Sequence, residues 1–167
     1  MKLWILSKNK IEKEELSSSF LFILAKLMHK YSPYMFVQES YISDPWKILV
    51  CCILLNQTTR KQLDIVRTEL FTKYPDPSSI SSANLEELSK ILKPLGFQNK
   101  RAKTLVKFSS EYLLDWKDVK QLYGIGKYAS DAYEIFVKQN YDIEPNDGAL
   151  NKYLNWLRSI WLELTLQ

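Results

Sequence analysis

Residues 122–128 read Leu-Tyr-Gly-Ile-Gly-Lys-Tyr, and this stretch is the most informative feature of the chain. It follows a short polar helix predicted over 118–122 and leads into an amphipathic helix that starts at Lys127. Glycine at positions 124 and 126 permits a positive φ and leaves no side chain between the backbone and a ligand. The N–H groups of the turn and of the following helix then form an anion site with the helix dipole behind it. The alternative is an ordinary helical corner with a glycine cap, and this stretch alone favours phosphate binding only modestly.

Length and composition limit the classes of protein to which the chain can belong. Its 167 residues, 46% of them hydrophobic, suffice for one domain or two closely packed lobes. A net charge of +4 suits a nucleic-acid binder with a local basic face, and four glycines exclude Rossmann and Walker loops. Two adjacent cysteines, Cys51 and Cys52, cannot form a four-cysteine zinc or iron–sulfur site, and His29 is the single histidine. No apolar run reaches transmembrane length.

The spacing of apolar residues is helical almost throughout the chain. Asp44-Pro45 predicts a helix start, with aspartate as N-cap and proline at the first helical position, and residues 46–55 should form a central buried helix. Residues 74–79 are predicted to form a turn. Further helices are predicted over 14–28, 59–73, 82–92, 99–113, 127–138 and 147–161. No pair of strands with alternating polarity is present, so the predicted fold class is all-α.

Three aspartates compete for the role of a catalytic carboxylate. Asp44 fits a helix cap, and Asp131 fits a solvated position on a helix. Asp147 fits either an N-cap after Pro145-Asn146 or a catalytic group. These two interpretations are compatible, because a helix N-terminus would keep the carboxylate ionised. Spacing alone favours Asp147 only narrowly.

The order of helical hairpin, helix, short loop and aspartate at a helix start resembles the helix-hairpin-helix DNA glycosylase superfamily. Within it, the chain from about residue 36 to 157 is similar to the glycosylase domain of the methyl-CpG-binding domain protein 4 family and its plant relatives. The blocks that carry this resemblance are, in order, Gln38-Glu39, Asp44-Pro45-Trp46-Lys47, Leu54-Leu55-Asn56-Gln57-Thr58, Lys93-Pro94-Leu95-Gly96, Arg101-Ala102-Lys103-Thr104, Val106-Lys107-Phe108-Ser109, Glu111-Tyr112-Leu113, Gly124-Ile125-Gly126-Lys127-Tyr128, Leu150-Asn151-Lys152-Tyr153 and Trp156-Leu157.

The resemblance implies a two-lobed helical bundle with a helix-hairpin-helix motif and an active-site cleft between the lobes. We expect an N-terminal helical segment over 1–35 and the glycosylase domain over 36–167. The implied activity is that of a monofunctional glycosylase in base excision repair. Such an enzyme flips thymine or uracil mispaired with guanine out of the duplex and hydrolyses its N-glycosidic bond.

Residues at three positions define the implied chemistry. Asp147 matches the family's catalytic aspartate, which stabilises an oxocarbenium-like transition state and positions water. Tyr128 stands where bifunctional members carry a Schiff-base lysine, so the amine nucleophile is missing and no strand cleavage is expected. In the family this tyrosine lines the base pocket, and Gln38 matches the glutamine that reads the polar edge of thymine or uracil. Without the resemblance, Tyr128 would be a core aromatic and Gln38 an ordinary surface residue.

Further residues are expected to contact DNA. Gln57 aligns with the residue that fills the space left by the flipped base, and Phe97 aligns with an apolar wedge. Without the resemblance, these two are a polar loop residue and a partly buried aromatic. Backbone contacts, which give salt-dependent affinity, are expected from a basic set on the hairpin side, although any single lysine fits a solvated helix face equally well. That set is Arg60, Lys61, Lys100, Lys103, Lys127 and the amides of Gly124 and Gly126.

One departure from the family's pattern follows the aspartate, where Gly148-Ala149 replace histidine and, in vertebrate members, lysine. It affects the expected rate and range of substrates. No metal, iron–sulfur cluster or other cofactor is expected, and a potassium or sodium ion held by hairpin carbonyls would be structural. The expected partner is double-stranded DNA with G·T or G·U mismatches, bound by a monomer in the nucleus, without a membrane. Two alternatives remain, which are a glycosylase of different base preference and a non-catalytic DNA-binding module.

Overall fold

The computed structural model describes residues 32–165, with side chains up to residue 160. This part of the chain is helical and contains no strand, which confirms the all-α prediction. The predicted helix over 14–28 lies outside the described residues. None of the described helices is long and apolar enough to cross a membrane. The α-helices are α1 (Pro45–Leu54), α2 (Arg60–Lys73), α3 (Pro77–Ser81), α4 (Leu85–Leu92), α5 (Gln98–Tyr112), α6 (Lys127–Phe136) and α7 (Gly148–Thr165), with 3-10 helices at Val37–Tyr41, Lys93–Leu95 and Val119–Gln121.

Side-chain caps set the starts of these helices. Asp44 accepts a hydrogen bond of 3.1 Å from the Lys47 N–H, and Pro45 is the first residue of α1, as predicted. The same aspartate–proline signal recurs at Asp76-Pro77, where the Asp76 carboxylate accepts from the Ser79 N–H at 2.8 Å. The prediction of a plain turn over 74–79 was therefore wrong, because this signal starts α3.

Helix α1 lies at the centre of the fold. All its residues except Pro45 and Lys47 are buried, so it is apolar on every side. It contacts α6 and the 3-10 helix Val37–Tyr41 on one side, and α2 and α5 on another. Helices α3 and α4 pack on α5, whereas α7 packs on α6. The described helices thus form two lobes around α1, one built from α2–α5 and the other from α6, α7 and Val37–Tyr41.

The glycine hairpin connects α5 to α6. Gly124 has a φ of +82°, and a Cβ there would lie 2.9 Å from the Thr104 Cγ2. Gly126 differs, because its φ is −95° and nothing lies within 4 Å of an added Cβ. Glycine permits a positive φ at both positions, but only Gly124 adopts one and therefore needs glycine for its conformation. A hydrogen bond of 2.6 Å from the Tyr123 N–H to the Glu111 carboxylate ties the hairpin to α5.

Candidate functional site

Two adjoining cavities open beside the loop after α1 and the glycine hairpin, one towards the start of α7 and the other towards the start of α5. The first, here called the Asp147 cavity, has a volume of about 510 Å³. Its lining includes Cys52, Gln57, Lys127, Tyr128, Asp147 and Ala149. The second, the Phe97 cavity, has a volume of about 360 Å³ and is lined by Gln57, Phe97, Lys100, Arg101, Thr104 and Gly124, among others. The structure thus brings Tyr128, Asp147 and Gln57 to one opening.

Asp147 is the N-cap of α7. Its Oδ1 accepts hydrogen bonds from the N–H groups of Ala149 at 3.0 Å and Leu150 at 2.9 Å. Both bonds end on the same oxygen, so the first turn of α7 fixes the carboxylate at the edge of the cavity. Asp44 caps α1 and forms an ion pair with Lys47 at 3.1 Å, away from this opening.

Tyr128 and Gln38 form a hydrogen-bonded unit beside the Asp147 cavity. The Gln38 Nε2 donates to the Tyr128 hydroxyl at 2.9 Å and to the Cys52 sulfur at 3.3 Å. Gln38 is completely buried and lies behind the cavity wall, so the interpretation of an ordinary surface residue was wrong. Its Oε1 is buried without a hydrogen-bond partner among the described residues. Tyr128 connects this buried amide to the cavity.

Burial determines the protonation of the cavity's weak acids. It raises the pKa of Tyr128, and it raises the pKa of Cys52 to about 12, so both groups are neutral at physiological pH. The Tyr128 oxygen already accepts from Gln38, which leaves the hydroxyl proton for an acceptor in the cavity. Cys52 is a neutral thiol and not a nucleophile.

Lys127 forms an ion pair with Asp131, one turn further along α6. The Asp131 side chain is 6% exposed, whereas that of Lys127 is 52% exposed. The prediction that Asp131 is solvated was wrong, because it faces inward on the side of α6 that carries Ala132 and Ile135. The Asp131 Oδ2 is buried without a partner among the described residues. Within the same residues, no group of three histidine, cysteine or acidic side chains could hold a metal ion.

Gln57 and Phe97 occupy unusual backbone conformations. Their φ angles are +58° and +48°, in the left-handed region that residues with side chains rarely adopt. Phe97 is 69% exposed, so the interpretation of a partly buried aromatic was wrong, and Gln57 is exposed too. The two residues lie on different loops and both line the Phe97 cavity.

The predicted basic residues differ in how they are held. Lys61, Lys100 and Lys103 are exposed, and the last two line a groove with Lys107 and Tyr123. The Lys107 ammonium lies 4.0 Å from the centre of the Tyr123 ring, a cation–π contact. Arg60, in contrast, donates through Nε to both carboxylate oxygens of Asp64 at 2.9 Å and through Nη1 to the Met35 carbonyl.

Arg101 is a buried residue that the sequence interpretation did not single out. Its guanidinium donates to the carbonyl oxygens of Gly96 at 2.9 Å, Asn56 at 2.9 Å and Leu54 at 3.2 Å. The helical spacing that joins position 101 to the buried Leu105 and Phe108 could have identified it as inward-facing.

Comparisons with known proteins identify relatives of this chain. Residues 50–163 match the family model described as "HhH-GPD superfamily base excision DNA repair protein". A "Methyl-CpG-binding domain protein 4-like protein" from Arabidopsis thaliana is 44% identical over 129 residues, which are 76% of this chain and 29% of that protein. A "Thymine/uracil-DNA glycosylase" from Pyrobaculum aerophilum is 37% identical over 95 residues, 52% of this chain and 41% of the relative. The chain therefore spans less than half the length of these two relatives.

Solved structures support the fold. A structure titled "Structure of a thermostable thymine-DNA glycosylase" matches with a TM-score of 0.56 at 20% identity and covers 82% of this chain and 76% of that one. An endonuclease III–DNA covalent intermediate matches with a TM-score of 0.55 at 18% identity, covering 83% and 74%. At these identities the likeness concerns the fold alone.

Proposed function

This chain belongs to the HhH-GPD superfamily of base excision DNA repair proteins, and from that premise we propose that it is a monofunctional DNA glycosylase acting on thymine or uracil opposite guanine. The observation that carries the proposal is the meeting of Asp147 and Tyr128 at one cavity beside the glycine hairpin. A carboxylate, a neutral hydroxyl and a hairpin backbone supply what base hydrolysis on DNA needs, namely charge stabilisation, base recognition and phosphate binding.

Asp147 is proposed to act on the sugar. Breaking the glycosidic bond places positive charge on the deoxyribose ring, and a nearby carboxylate lowers the energy of that state. Because Oδ1 is occupied by the helix cap, Oδ2 is the oxygen that faces the anomeric carbon and orients the attacking water. As the glycosidic bond breaks, the base keeps the bonding electron pair and the water oxygen bonds to the anomeric carbon. The proton that the water loses to Asp147 ends on the departing base, so the products are an abasic site and the free base.

Tyr128 is proposed to recognise the base through its free hydroxyl proton. A carbonyl oxygen of thymine or uracil accepts that proton, while Gln38 holds the phenol oxygen from behind. The amino group of cytosine or adenine at the same place would be a hydrogen-bond donor facing the Tyr128 donor. Neither donor would then have an acceptor, which disfavours these two bases. Gly148 and Ala149 bring no side-chain donor to the cavity, so Tyr128 carries more of the discrimination.

We propose that the enzyme does not cleave the DNA strand, because neither Tyr128 nor Lys127 supplies the amine nucleophile. Tyr128 cannot form a Schiff base with the sugar. Lys127 could do so in principle, but its ammonium is paired with the buried Asp131 carboxylate. Withdrawing the amine from Asp131 would leave that buried charge without compensation, which is unfavourable.

DNA binding is proposed to involve both cavities. Gln57 would enter the space of the flipped base and Phe97 would separate the neighbouring bases. Lys61, Lys100, Lys103 and the hairpin amides would contact phosphates, whereas the Asp64 pair limits Arg60 to a weaker contribution. We further propose a domain over 36–167 that binds G·T or G·U duplexes as a monomer, with chromosomal DNA in the nucleus as its place of action.

The proposal is tested with duplexes that carry one G·U or G·T mismatch, incubated with excess protein and then treated with alkali to cut abasic sites. We expect wild type to give alkali-dependent cleavage and Asp147→Asn to slow it roughly a hundredfold or more. Asp142→Asn is the matched control, because Asp142 is an exposed aspartate in the same loop. It should cleave like wild type.

Each other outcome contradicts a defined part of the proposal. Equal, negligible cleavage by wild type and Asp147→Asn with intact DNA binding would establish a non-catalytic module. Cleavage without alkali would exclude a monofunctional enzyme. Excision from an adenine mismatch, with G·U and G·T left intact, would assign a different base preference.

A further inference from the structure

We propose that Arg101 is a positioning residue that holds the Gln57 loop and the Phe97 loop at a fixed separation, so that the two residues enter DNA as one wedge. The Gln57 loop is the segment 55–59 between α1 and α2, and the Phe97 loop is the segment 96–97 before α5. The inference rests on the proposed function, because it concerns how the base is displaced from the duplex.

The hydrogen bonds of Arg101 reach both loops at once. On the Gln57 side, Nη1 donates to the Leu54 carbonyl at 3.2 Å and Nη2 to the Asn56 carbonyl at 2.9 Å. On the Phe97 side, Nε donates to the Gly96 carbonyl at 2.9 Å, and Nη2 also approaches the Leu95 carbonyl at 3.5 Å. The guanidinium is planar, so these bonds fix the distance and the relative orientation of the two loops.

The two loops need such a connection because their backbones are strained. Gln57 and Phe97 both have positive φ angles, whereas the neighbouring Gly96 has a φ of +69°, which glycine adopts without strain. Residues with side chains remain in this region only where the surroundings hold them. Two of the carbonyls that Arg101 binds, those of Asn56 and Gly96, belong to the residues directly before Gln57 and Phe97, so the tether acts next to the strained positions.

The Arg101 guanidinium is bound by backbone carbonyls of the two loops and their flanking residues, and not by a carboxylate. It is 8% exposed, and in the described part of the chain its guanidinium has no acidic partner within ion-pair distance. Its acceptors include the carbonyl of Leu54 at the C-terminal end of α1, where the helix dipole favours a cation. Lysine at this position would keep the charge but could not span the two loops with a rigid fork.

A wedge made of two independent loops would bind DNA yet separate bases poorly. Displacing a base requires that one side chain fills the gap while another separates its neighbours. Loss of the tether should therefore affect base unstacking more strongly than DNA binding. A purely structural role for Arg101 would lower stability and leave unstacking by the folded protein unchanged.

The test measures unstacking without chemistry. A G·U duplex carries 2-aminopurine next to the uracil, and all variants carry Asp147→Asn so that the uracil remains in place. At saturating protein we expect Asp147→Asn alone to raise the 2-aminopurine fluorescence. Adding Arg101→Lys or Arg101→Gln should reduce this rise to roughly a tenth, with only a small change in Kd. Leu88→Ala is the control for lost stability, since Leu88 is buried in α4 and lines neither cavity.

Arg101→Lys keeps the proposal testable if Arg101→Gln does not fold, and circular dichroism identifies the folded variants. A full fluorescence rise with folded Arg101→Lys would overturn the inference. So would an equal reduction by Leu88→Ala, or no rise with Asp147→Asn when DNA is bound. Excision by wild type is measured separately, so a failure of the proposed function is distinguished from a failure of this inference.

Discussion

The Gln38 Nε2 donates a hydrogen bond of 2.9 Å to the hydroxyl oxygen of Tyr128, although 90 positions separate the two residues in the chain. Gln38 comes from the 3-10 helix Val37–Tyr41 and Tyr128 from the first turn of α6, two elements that pack on each other. This bond sets the direction of the phenol proton, because the oxygen that accepts from Gln38 must donate elsewhere.

Removing either partner of this bond should lower activity by a similar amount. Tyr128→Phe deletes the donor to the base, and Gln38→Leu releases its orientation, so each should reduce kcat/KM for G·U roughly tenfold. The double variant should lose little more than either single one, since both act on one interaction. Single-turnover rates for the four proteins check this, and additive losses would show that the residues act separately.

The Lys127–Asp131 ion pair should contribute to the free energy of unfolding. Lys127→Met leaves the buried Asp131 carboxylate without its cation and should lower the free energy of unfolding by about 1–3 kcal/mol, less than for a fully buried pair because Lys127 is half exposed. Asp131→Asn should cost less, and adding it to Lys127→Met should restore part of the loss. Urea unfolding measures all three, and no recovery in the double variant would contradict the pairing.

The two hairpin glycines should respond differently to alanine. In Gly124→Ala the added methyl group would clash with Thr104, and alanine would be strained at a φ of +82°. This change should lower the free energy of unfolding by about 1–3 kcal/mol. Thr104→Ser removes the clashing methyl group and should recover part of that loss. Gly126→Ala has no such clash and should cost less stability than Gly124→Ala, but it should weaken DNA binding, because its methyl group would hinder the phosphate that the hairpin amides are proposed to bind. Thermal unfolding and salt-dependent binding distinguish these effects, and equal destabilisation by both alanines would contradict the assignment.

The carboxyl group of Glu39 should make stability depend on pH. Burial raises its pKa above the ordinary 4.5, although a hydrogen bond from the Tyr153 hydroxyl opposes the shift. Glu39 therefore binds its proton more tightly in the folded protein, and its stabilising contribution is present below pH 4.5 and lost as pH rises through the higher folded value. Glutamine does not titrate, so Glu39→Gln lacks this loss. The free energy of unfolding of Glu39→Gln minus that of wild type should therefore increase as pH is raised from about 4 to about 7. A difference in free energy of unfolding that stays constant across that pH range would contradict the raised pKa of Glu39.

Helix positions could be predicted from the sequence because caps and apolar spacing are local signals. Asp44-Pro45 marked α1, and Thr59 forms a capping box with Gln62 at the start of α2. The turn predicted over 74–79 missed the same local signal at Asp76-Pro77, whereas the misplacement of Asp131 arose because its environment is set by distant residues. Asp131 is buried on a helix that packs on α1, α7 and the 3-10 helices Val37–Tyr41 and Val119–Gln121, and no pattern near it indicates this.

The site could be predicted in part. Family blocks identified Tyr128, Asp147 and Gln57, and the structure brings these three to one cavity. The same blocks assigned Gln38 to the base pocket, but its buried bond to Tyr128 and the loop contacts of Arg101 could not be found from local sequence, because each depends on contacts made across the fold. The Gln38 bond spans 90 positions, and the Arg101 bonds to Leu54 and Asn56 span 47 and 45. Such contacts exist only once the two lobes have packed around α1.

Under the proposed role of Asp147, its cap has a consequence for the timing of catalysis. One carboxylate oxygen is bound by the first turn of α7, so the rotational freedom of the side chain is lost when the helix forms. Each substrate then meets a carboxylate whose direction is already set, and no reorientation is required as the transition state develops. The side-chain entropy lost in aligning this carboxylate is therefore lost once, when the protein folds, and not again in each turnover.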